Sequence, residues 1–252
     1  MSHPRLRPGL HVVRRDDRHV QVGVDPPWRL VLPDEPDVLR LLADLGAGRP
    51  PRPETPATHR ALAGLDRAGM LVETAPHRRS ADVAVDGGGT AATEATRILR
   101  TSGCRVVPTD RAEVALVLAD GEPRRASIDA HVREGRAHLV VAATAYGFTI
   151  GPFVVPGATA CLRCVDAHLG QHDPRRAVVL EQVGGLPTEP HDPGLTALVA
   201  GWAVRDLLSF AEGGRPSTWS ATVAIGPELS PHTRAWTRHP HCGCSWTAGL
   251  AG

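Results

Sequence analysis

Two closely spaced pairs of cysteines constrain what this chain of 252 residues can fold into. The segment CLRC contains Cys161 and Cys164, and the later segment HPHCGCSW contains Cys242 and Cys244. A close cysteine pair can bind one side of a tetrahedral Zn²⁺, and a second pair completes the coordination. The spacing therefore predicts a closed, structural zinc site that ties the two segments together, because no coordination position remains for water.

Other roles for these cysteines stay open at this point. The Cys-x-Cys spacing is tighter than the usual Cys-x-x-Cys, so His239 or His241 could replace one thiolate. Buried free thiols are the simplest alternative, and a redox pair is disfavoured because no thioredoxin-type βαβ pattern surrounds CLRC. The fifth cysteine, Cys104, follows a predicted helix and is expected to be a small buried apolar residue.

The composition excludes several classes of partner. The net charge is +1 at pH 7, whereas proteins that bind nucleic acid or anionic membranes usually present a basic surface. No apolar run reaches the ~20 residues of a membrane helix, and the polar start MSHPRLRPGL is not typical of a signal peptide. We therefore expect a cytoplasmic protein, with neither nucleic acid nor membrane as its partner, in which paired cysteines bind metal.

The first part of the chain, residues 1–76, predicts a small domain of its own. Leu10–Arg14 and His19–Gly23 predict a hairpin, and Trp28–Leu32 predicts a third strand that stops at Pro33. Two helical stretches follow, DEPDVLRLLADLGAG and ATHRALAGLDRAGMLVE. The order β-β-β-α-α is typical of a winged-helix-like unit, and the polar TAPHRRSAD predicts a linker.

Such a unit has two alternative roles. DNA binding is disfavoured because the second helix, ATHRALAGLDRAG, carries only two arginines and an acid, which suits a major groove poorly. Alternatively the third strand is an exposed edge, to which an extended peptide adds as a further strand while the neighbouring helix supplies side-chain pockets. Trp28 belongs either to that surface or to the core.

Residues 77–252 predict an α/β domain with a doubly wound, Rossmann-like sheet. A strand at Val83–Val85 leads through glycines into a helix and a second strand at Arg105–Val107. VALVLAD and HLVVAATA predict further buried strands, and DPGLTALVAGWAVRDLLSFAEGG predicts a strongly apolar helix. The alternation of strands and helices is the basis of this fold prediction.

A glycine-rich turn offers a possible nucleotide site. Gly87, Gly89 and Ala92 match the pattern G-x-G-x-x-A, in which amides at a helix N-terminus bind phosphates, and Asp110 lies near the place of a ribose-binding carboxylate. The same glycines can instead serve close packing. All 28 basic residues are arginines, so the lysine that usually contacts phosphates is absent and ATP is not expected. The sequence contains no recognisable catalytic constellation.

The chain resembles the ThiF-like (ocin-ThiF-like) partner proteins of azole-forming peptide maturation. The resemblance lies in GPFVVPGATACLRCVDAHLGQHDPRR, in DPGLTALVAGWAVRDLLSF and in TWSATVAIGPELSPHTRAWTRHPHCGCSW. The N-terminal LRPGLHVVRRDDRHVQVGVDPPWRLVLPD is similar to the leader-recognition element of that family. The resemblance to this family implies a winged-helix-like peptide-recognition domain, followed by a domain with the fold of ubiquitin-activating-type enzymes. It also implies a tetracysteine zinc site at Cys161, Cys164, Cys242 and Cys244.

The resemblance also implies a function. A protein of this family captures the leader of a ribosomally made precursor peptide and presents the peptide to a YcaO-family cyclodehydratase or another modifying enzyme. The chain departs from active adenylating relatives because it lacks the phosphate lysine and an Asn-Leu-Asn-Arg-like motif, so we expect a non-catalytic partner. The alternative is an active adenylating enzyme that acts on a peptide or carrier-protein carboxylate.

The family implies candidate peptide contacts by position, on the third strand and on the facing helix. They are Trp28, Arg29, Leu30, Val31, Leu32, Leu62, Leu65 and Asp66. The apolar helix Leu195–Phe210 additionally raises the possibility of a homodimer.

Overall fold

A computed structural model describes residues 3–73, 80–188 and 192–245. The chain divides into two compact units, Met1–Arg78 and Arg79–Gly252. Twelve strands and seven α-helices lie in the described residues. The expected domain boundary, between residues 76 and 77, and most of the expected linker lie outside the described residues.

The first unit has three strands before its two helices, as predicted, and one further strand at each end. Its elements are β1 (Pro4–Leu6), β2 (Val12–Arg14), β3 (His19–Val22), β4 (Leu30–Pro33), α1 (Pro36–Gly46), α2 (Pro56–Arg67) and β5 (Leu71–Glu73).

Two small sheets and two helices enclose the core of this unit. The strands β2, β3 and β4 form an antiparallel sheet in that order, and β1 pairs with β5. Helix α1 buries Val38, Leu41, Leu42 and Leu45, which recur at helical spacing. The side chain of Thr55 accepts a hydrogen bond from the Thr58 N–H and caps α2.

The second helical stretch is shorter than the sequence predicts. Helix α2 ends at Arg67, and Gly69 adopts a positive φ of 62° that reverses the chain. Met70 is then fully buried, and the chain continues as β5 rather than as helix. The predicted third strand also begins later than expected, because Trp28 and Arg29 precede β4.

The first part of the second unit alternates strands and helices, and its later strands run antiparallel to their neighbours. Its elements are β6 (Asp82–Asp86), α3 (Gly89–Thr101), β7 (Arg105–Val106), β8 (Val114–Ala119), α4 (Arg125–Arg133), β9 (Ala137–Ala143), β10 (Phe148–Val154), α5 (Leu162–Gly170), α6 (Arg176–Val183), α7 (Pro193–Ala211), β11 (Ala221–Ile225) and β12 (His232–Ala235). Short 3₁₀ helices lie at Thr109–Arg111 and Gly243–Ser245.

The seven strands of this unit form a single mixed sheet, in the order β12-β11-β10-β9-β8-β6-β7. The strands β7, β6, β8 and β9 are parallel, whereas β10, β11 and β12 are antiparallel to their neighbours. The expected doubly wound sheet is therefore present only in the first half of the domain. Antiparallel neighbours need no crossover helix, so β9 leads directly into β10. Three helices, α5, α6 and α7, then precede β11, and the strict alternation of strand and helix ends at β9.

The apolar helix α7 lies in the core of the second unit. Leu195, Val199, Ala203 and Leu207 are buried at helical spacing in the cluster that also contains residues of α3 and the sheet. By length and composition α7 could cross a membrane, which differs from the sequence-based expectation, and 44% of its apolar window is buried inside the chain. Packing within the chain therefore accounts for the buried face of α7.

One buried carboxylate anchors α7 to the segment that precedes β11. Asp206 is 3% exposed and accepts hydrogen bonds from the backbone N–H groups of Ser217 (2.7 Å) and Thr218 (3.0 Å). The hydroxyl groups of both residues also donate to it. The carboxylate thereby satisfies two backbone donors that no strand or helix would satisfy.

We expect the substitution Asp206→Ala to lower the free energy of unfolding by about 3 kcal/mol, because it leaves these donors without an acceptor in the protein interior. The measurement is urea-induced unfolding followed by circular dichroism. The neighbouring Arg205 is exposed and forms an ion pair with Glu212 at 2.9 Å. Arg205→Ala is therefore the control, with an expected change below about 0.5 kcal/mol. Equal effects of the two substitutions would contradict this role for Asp206.

Candidate metal centre and peptide-binding edge

The four cysteines of the two pairs meet in one buried group. Their Sγ atoms all lie within 4.8 Å of one another. The neighbouring separations are 3.7 Å for Cys161–Cys164, 3.6 Å for Cys161–Cys242 and 3.5 Å for Cys164–Cys244. A tetrahedral Zn²⁺ with Zn–S bonds of about 2.3 Å would place its sulfurs about 3.8 Å apart. The group is therefore arranged as a metal site requires, and the separations are far too long for disulfides.

Local structure favours thiolates at this position. Cys161 is the N-cap residue of α5 and Cys164 lies in the first turn of that helix, where the dipole favours negative charge. The hydrogen bond from Cys161 lowers the pKa of the Cys164 thiol, and the same bond raises the pKa of Cys161. A bound cation would stabilise all four sulfurs in their deprotonated form.

One of the two alternative histidine ligands, His239, is engaged elsewhere. His239 is 5% exposed, and its Nδ1 accepts a hydrogen bond from the backbone N–H of His241 at 3.3 Å. Its Nε2 lies 3.2 Å from the side-chain nitrogen of Gln171. Within the described residues, the metal-binding group consists of the four cysteines.

The cysteine group joins the start of α5 to the chain that follows the edge strand β12. The tail is fixed next to it by Trp236, which packs in the same apolar cluster and donates a hydrogen bond to Thr222 Oγ1 at 2.9 Å. The arrangement therefore fixes the position of β12, the last strand of the sheet, relative to helix α5. Cys104, in contrast, lies buried in the main core of the unit, away from this group.

The strand β4 has backbone groups that the sheet does not use. The Asp34 N–H donates to the Arg18 carbonyl at 2.8 Å, and the register pairs Leu32 with Val20 and Leu30 with Val22. Since hydrogen-bonded pairs alternate along an antiparallel ladder, Leu30 and Leu32 bond to β3. The N–H and C=O groups of Val31 consequently point to the open edge.

Helix α2 lies beside this edge strand. A side chain on Gly64 would begin 3.2 Å from Leu30 Cδ2, so the glycine allows the helix to approach β4 closely. Residues that share a helix face with position 64 are those three or four residues away. Arg60 and Arg67 therefore border the groove between α2 and β4.

The predicted helix contacts are placed differently. Leu65 is fully buried in the core of the first unit, so it supports α2 and has no surface to offer a peptide. Leu62 and Asp66 are each two positions from Gly64, on the side of the helix that turns away from Leu30. The contact of Gly64 with Leu30 therefore marks a different face of α2 from the one on which the candidate contacts Leu62 and Asp66 lie.

The predicted strand contacts divide between the core and the surface. Leu32 is 8% exposed and Leu30 is half-buried, whereas Val31 is 39% and Trp28 is 43% exposed. Arg29 is exposed as well. Trp28 is thus a surface residue, and the guanidinium of Arg7 lies 5.0 Å from the centre of its ring.

The glycine turn is explained by packing. A side chain on Gly87 would meet the Leu118 carbonyl oxygen at 2.3 Å, with a φ of 134°, and Ala92 is buried in the core. The turn does open onto a cleft of about 760 Å³ at the start of α3. The carboxylate of Asp120 lies near Gly89 at this helix end, where it would oppose a phosphate.

A buried polar group next to this turn was not predicted. Asp86 accepts hydrogen bonds from Thr109 at 2.6 Å and from His131 Nε2 at 3.1 Å, and the hydrogen bond from His131 lowers the pKa of its carboxyl. His138 stacks 5.2 Å from His131, and burial lowers its pKa to about 4. The predicted ribose ligand, Asp110, is exposed nearby in the 3₁₀ helix Thr109–Arg111.

Comparison with solved structures finds a similar fold in heterocyclases and in MccB. The heterocyclase TruD superposes with a TM-score of 0.73 at 18% identity, over 97% of this chain and 43% of its own. A heterocyclase in complex with substrate and cofactor gives a TM-score of 0.70 at 17% identity, over 97% of this chain and 40% of that one. This chain therefore spans about two fifths of the heterocyclase chains.

MccB of E. coli is similar along its whole length. It superposes with a TM-score of 0.64 at 13% identity, over 97% of both chains, and its complex with AMPCPP and MccA gives 0.65 at 12% identity. No protein-family model and no curated relative matches the sequence. At these identities the likeness establishes the fold alone.

Proposed function

We propose that this protein is a non-catalytic adaptor that binds the leader of a ribosomally synthesised precursor peptide. The observation that carries the proposal is the open edge of β4 beside α2. Val31 presents an unused N–H and C=O there, and an extended peptide can pair with both as a fourth strand. The groove between β4 and α2 then receives alternate side chains of the peptide, because successive side chains of a strand point to opposite faces.

The opposite edge of the same sheet is a weaker candidate. The Gly23 N–H donates to the His11 carbonyl and the Arg15 N–H to the His19 carbonyl, so Val12 and Arg14 have their backbone groups at the open edge of β2. All three residues of β2 have exposed side chains, and within the described part of the chain no helix packs closely against this strand. A peptide on β2 would lack side-chain pockets.

The bound peptide would be presented to a YcaO-family cyclodehydratase or another modifying enzyme that forms azolines from Cys, Ser or Thr. The heterocyclase chains contain more than twice the length that this chain matches, and one of them was solved with substrate and cofactor. We assign the recognition step to the present chain and the ring-forming chemistry to that partner. The absence of lysine and the carboxylate of Asp120 beside the glycine turn favour a scaffold that does not bind ATP.

The four-cysteine group is proposed to hold a structural Zn²⁺. Four buried sulfurs at tetrahedral separations leave no position for water or substrate, so the ion would stabilise the fold and take no part in a reaction. It would fix the chain after β12 against α5 in the second unit.

We expect the substitution Val31→Pro to weaken binding of the cognate leader by about tenfold or more, because it removes an N–H that pairs with the peptide and adds a ring at the edge. The N–H of Val31 makes no bond to β3, so the domain should still fold. The measurement is titration of the purified protein with fluorescent leader peptides, which are encoded by precursor genes beside its own gene. The titration is done with and without ATP, and ATP should not change the affinity.

The matched control for this experiment is Val12→Pro. Val12 is 38% exposed, against 39% for Val31, and its N–H points to the open edge of β2 on the other side of the sheet. Leader affinity should be unchanged in this variant. If Val31→Pro binds as tightly as the wild-type protein, strand addition to β4 is wrong.

We further expect one Zn²⁺ per chain in the purified protein, and its loss on the substitution Cys242→Ser, with a decrease of about 3 kcal/mol or more in unfolding free energy. Elemental analysis and thermal unfolding are the measurements. Cys104→Ala is the control, since this buried cysteine lies outside the group and its loss should leave the metal content unchanged. Metal-free wild-type protein, purified without chelator and stably folded, would contradict the zinc assignment.

One observation favours a second function, ATP-dependent adenylation of a peptide or carrier-protein carboxylate. MccB matches this chain along its entire length and has been solved with ATP and with AMPCPP. The two functions differ in a direct assay, which is peptide-dependent exchange of pyrophosphate into ATP by the purified protein. We expect no exchange above background with a peptide that binds, and exchange at a rate proportional to enzyme concentration would establish the adenylating function instead.

A further inference from the structure

The side of α2 that faces β4 is rich in arginine. Arg60 and Arg67 lie four residues before and three residues after Gly64, which contacts Leu30, so both arginines border the same groove. Both side chains are exposed. In an α-helix that rises 1.5 Å per residue, their positions are about 10 Å apart along the groove.

These arginines have no acidic partner among the described residues. Arg14 and Arg49 of the same unit, in contrast, lie 3.8 Å from Asp34 and 2.8 Å from Asp44. The Nε of Arg67 donates to the Ala63 carbonyl within its own helix, which leaves its terminal nitrogens available. Two unpaired cations therefore face a groove that the proposed peptide would enter.

Two further arginines lie near the end of the groove at which α2 ends. Arg7 donates to the Gly69 carbonyl just after α2 and lies over the ring of Trp28, and Arg29 is exposed immediately before β4. The acid in this part of α2, Asp66, lies on the far side of the helix from Leu30. The charge around the groove is thus positive, although the net charge of the whole chain is only +1.

We infer that the groove selects extended peptides with acidic side chains at alternate positions. The inference rests on the proposed strand addition to β4 and specifies the chemistry of the leader. In a strand, side chains on one face recur about every 7 Å, so carboxylates two residues apart fall within reach of the long side chains of Arg60 and Arg67. Guanidinium groups bind carboxylates through paired hydrogen bonds, which a neutral amide cannot replace.

The experiment is a selection from a displayed library of short random peptides with the purified full chain, followed by titration with the synthetic form of a recovered peptide. Recovered peptides should be enriched in Asp and Glu at alternate positions. Replacing these acids by their amides should weaken binding about tenfold, and raising the salt from about 0.05 M to about 0.5 M should weaken binding of the acidic form alone.

The protein variant that tests the assignment is Arg60→Gln with Arg67→Gln. It should bind the acidic peptide about tenfold more weakly and lose the preference for acid over amide. Its control is Arg18→Gln with Arg40→Gln, which removes two exposed arginines from the β2–β3 turn and from α1 and should leave the preference intact. Acidic peptides that bind both double variants equally would overturn the inference.

The outcomes separate this inference from the function on which it rests. Neutral or basic peptides whose binding is abolished by Val31→Pro would overturn the charge selectivity and leave strand addition in place. Recovered peptides that bind the Val31→Pro variant normally would contradict strand addition itself. A library that yields no binder would contradict the proposed peptide-binding function.

Discussion

Backbone hydrogen bonding is the constraint on which the rest of this structure depends, because each strand must find partners for its N–H and C=O groups or leave them at an edge. The mixed sheet of the second unit ends in the two-residue strand β7 on one side and in the exposed, polar β12 on the other. In the first unit, β4 leaves the groups of Val31 open directly beside α2. An edge next to a helix can offer a peptide both backbone pairing and side-chain specificity.

The features that suggest chemistry in the second unit have structural explanations. The four cysteines form a buried group that could hold a metal ion, and they lie in the chain after β12 and at the start of α5. In our account the bound ion leaves no room for substrate. Gly87 is required where the turn passes the Leu118 carbonyl, and Ala92 is a core residue. This unit is therefore a rigid scaffold in our account, and the recognition surface lies on the small N-terminal unit.

Much of the fold and the metal group could be predicted because their signals are local. Apolar alternation identified the strands, and two close cysteine pairs identified the four cysteines whose sulfurs meet in one group that could hold a metal ion. The direction of a strand leaves no such trace, so the sequence did not predict that β10, β11 and β12 run antiparallel to their neighbours. The face of α2 that lies toward β4 could not be read from the sequence either. The periodicity of the helix marks its buried stripe, but Leu62 and Arg60 border that stripe on opposite sides, and the contact of Gly64 with Leu30 is known only from the structure. The group of Asp86, His131 and His138 joins residues distant in sequence and has no motif.

The most direct test of the account is amide hydrogen exchange at individual residues of the first unit, measured with and without a saturating bound peptide. The amides of Leu30 and Leu32 bond to β3 and should be protected in both states, whereas the Val31 amide should exchange rapidly in the free protein and slow markedly in the complex. The Val12 amide, at the opposite edge, should exchange at the same rate in both. A Val31 amide that exchanges equally fast in the complex would contradict peptide binding by strand addition to β4.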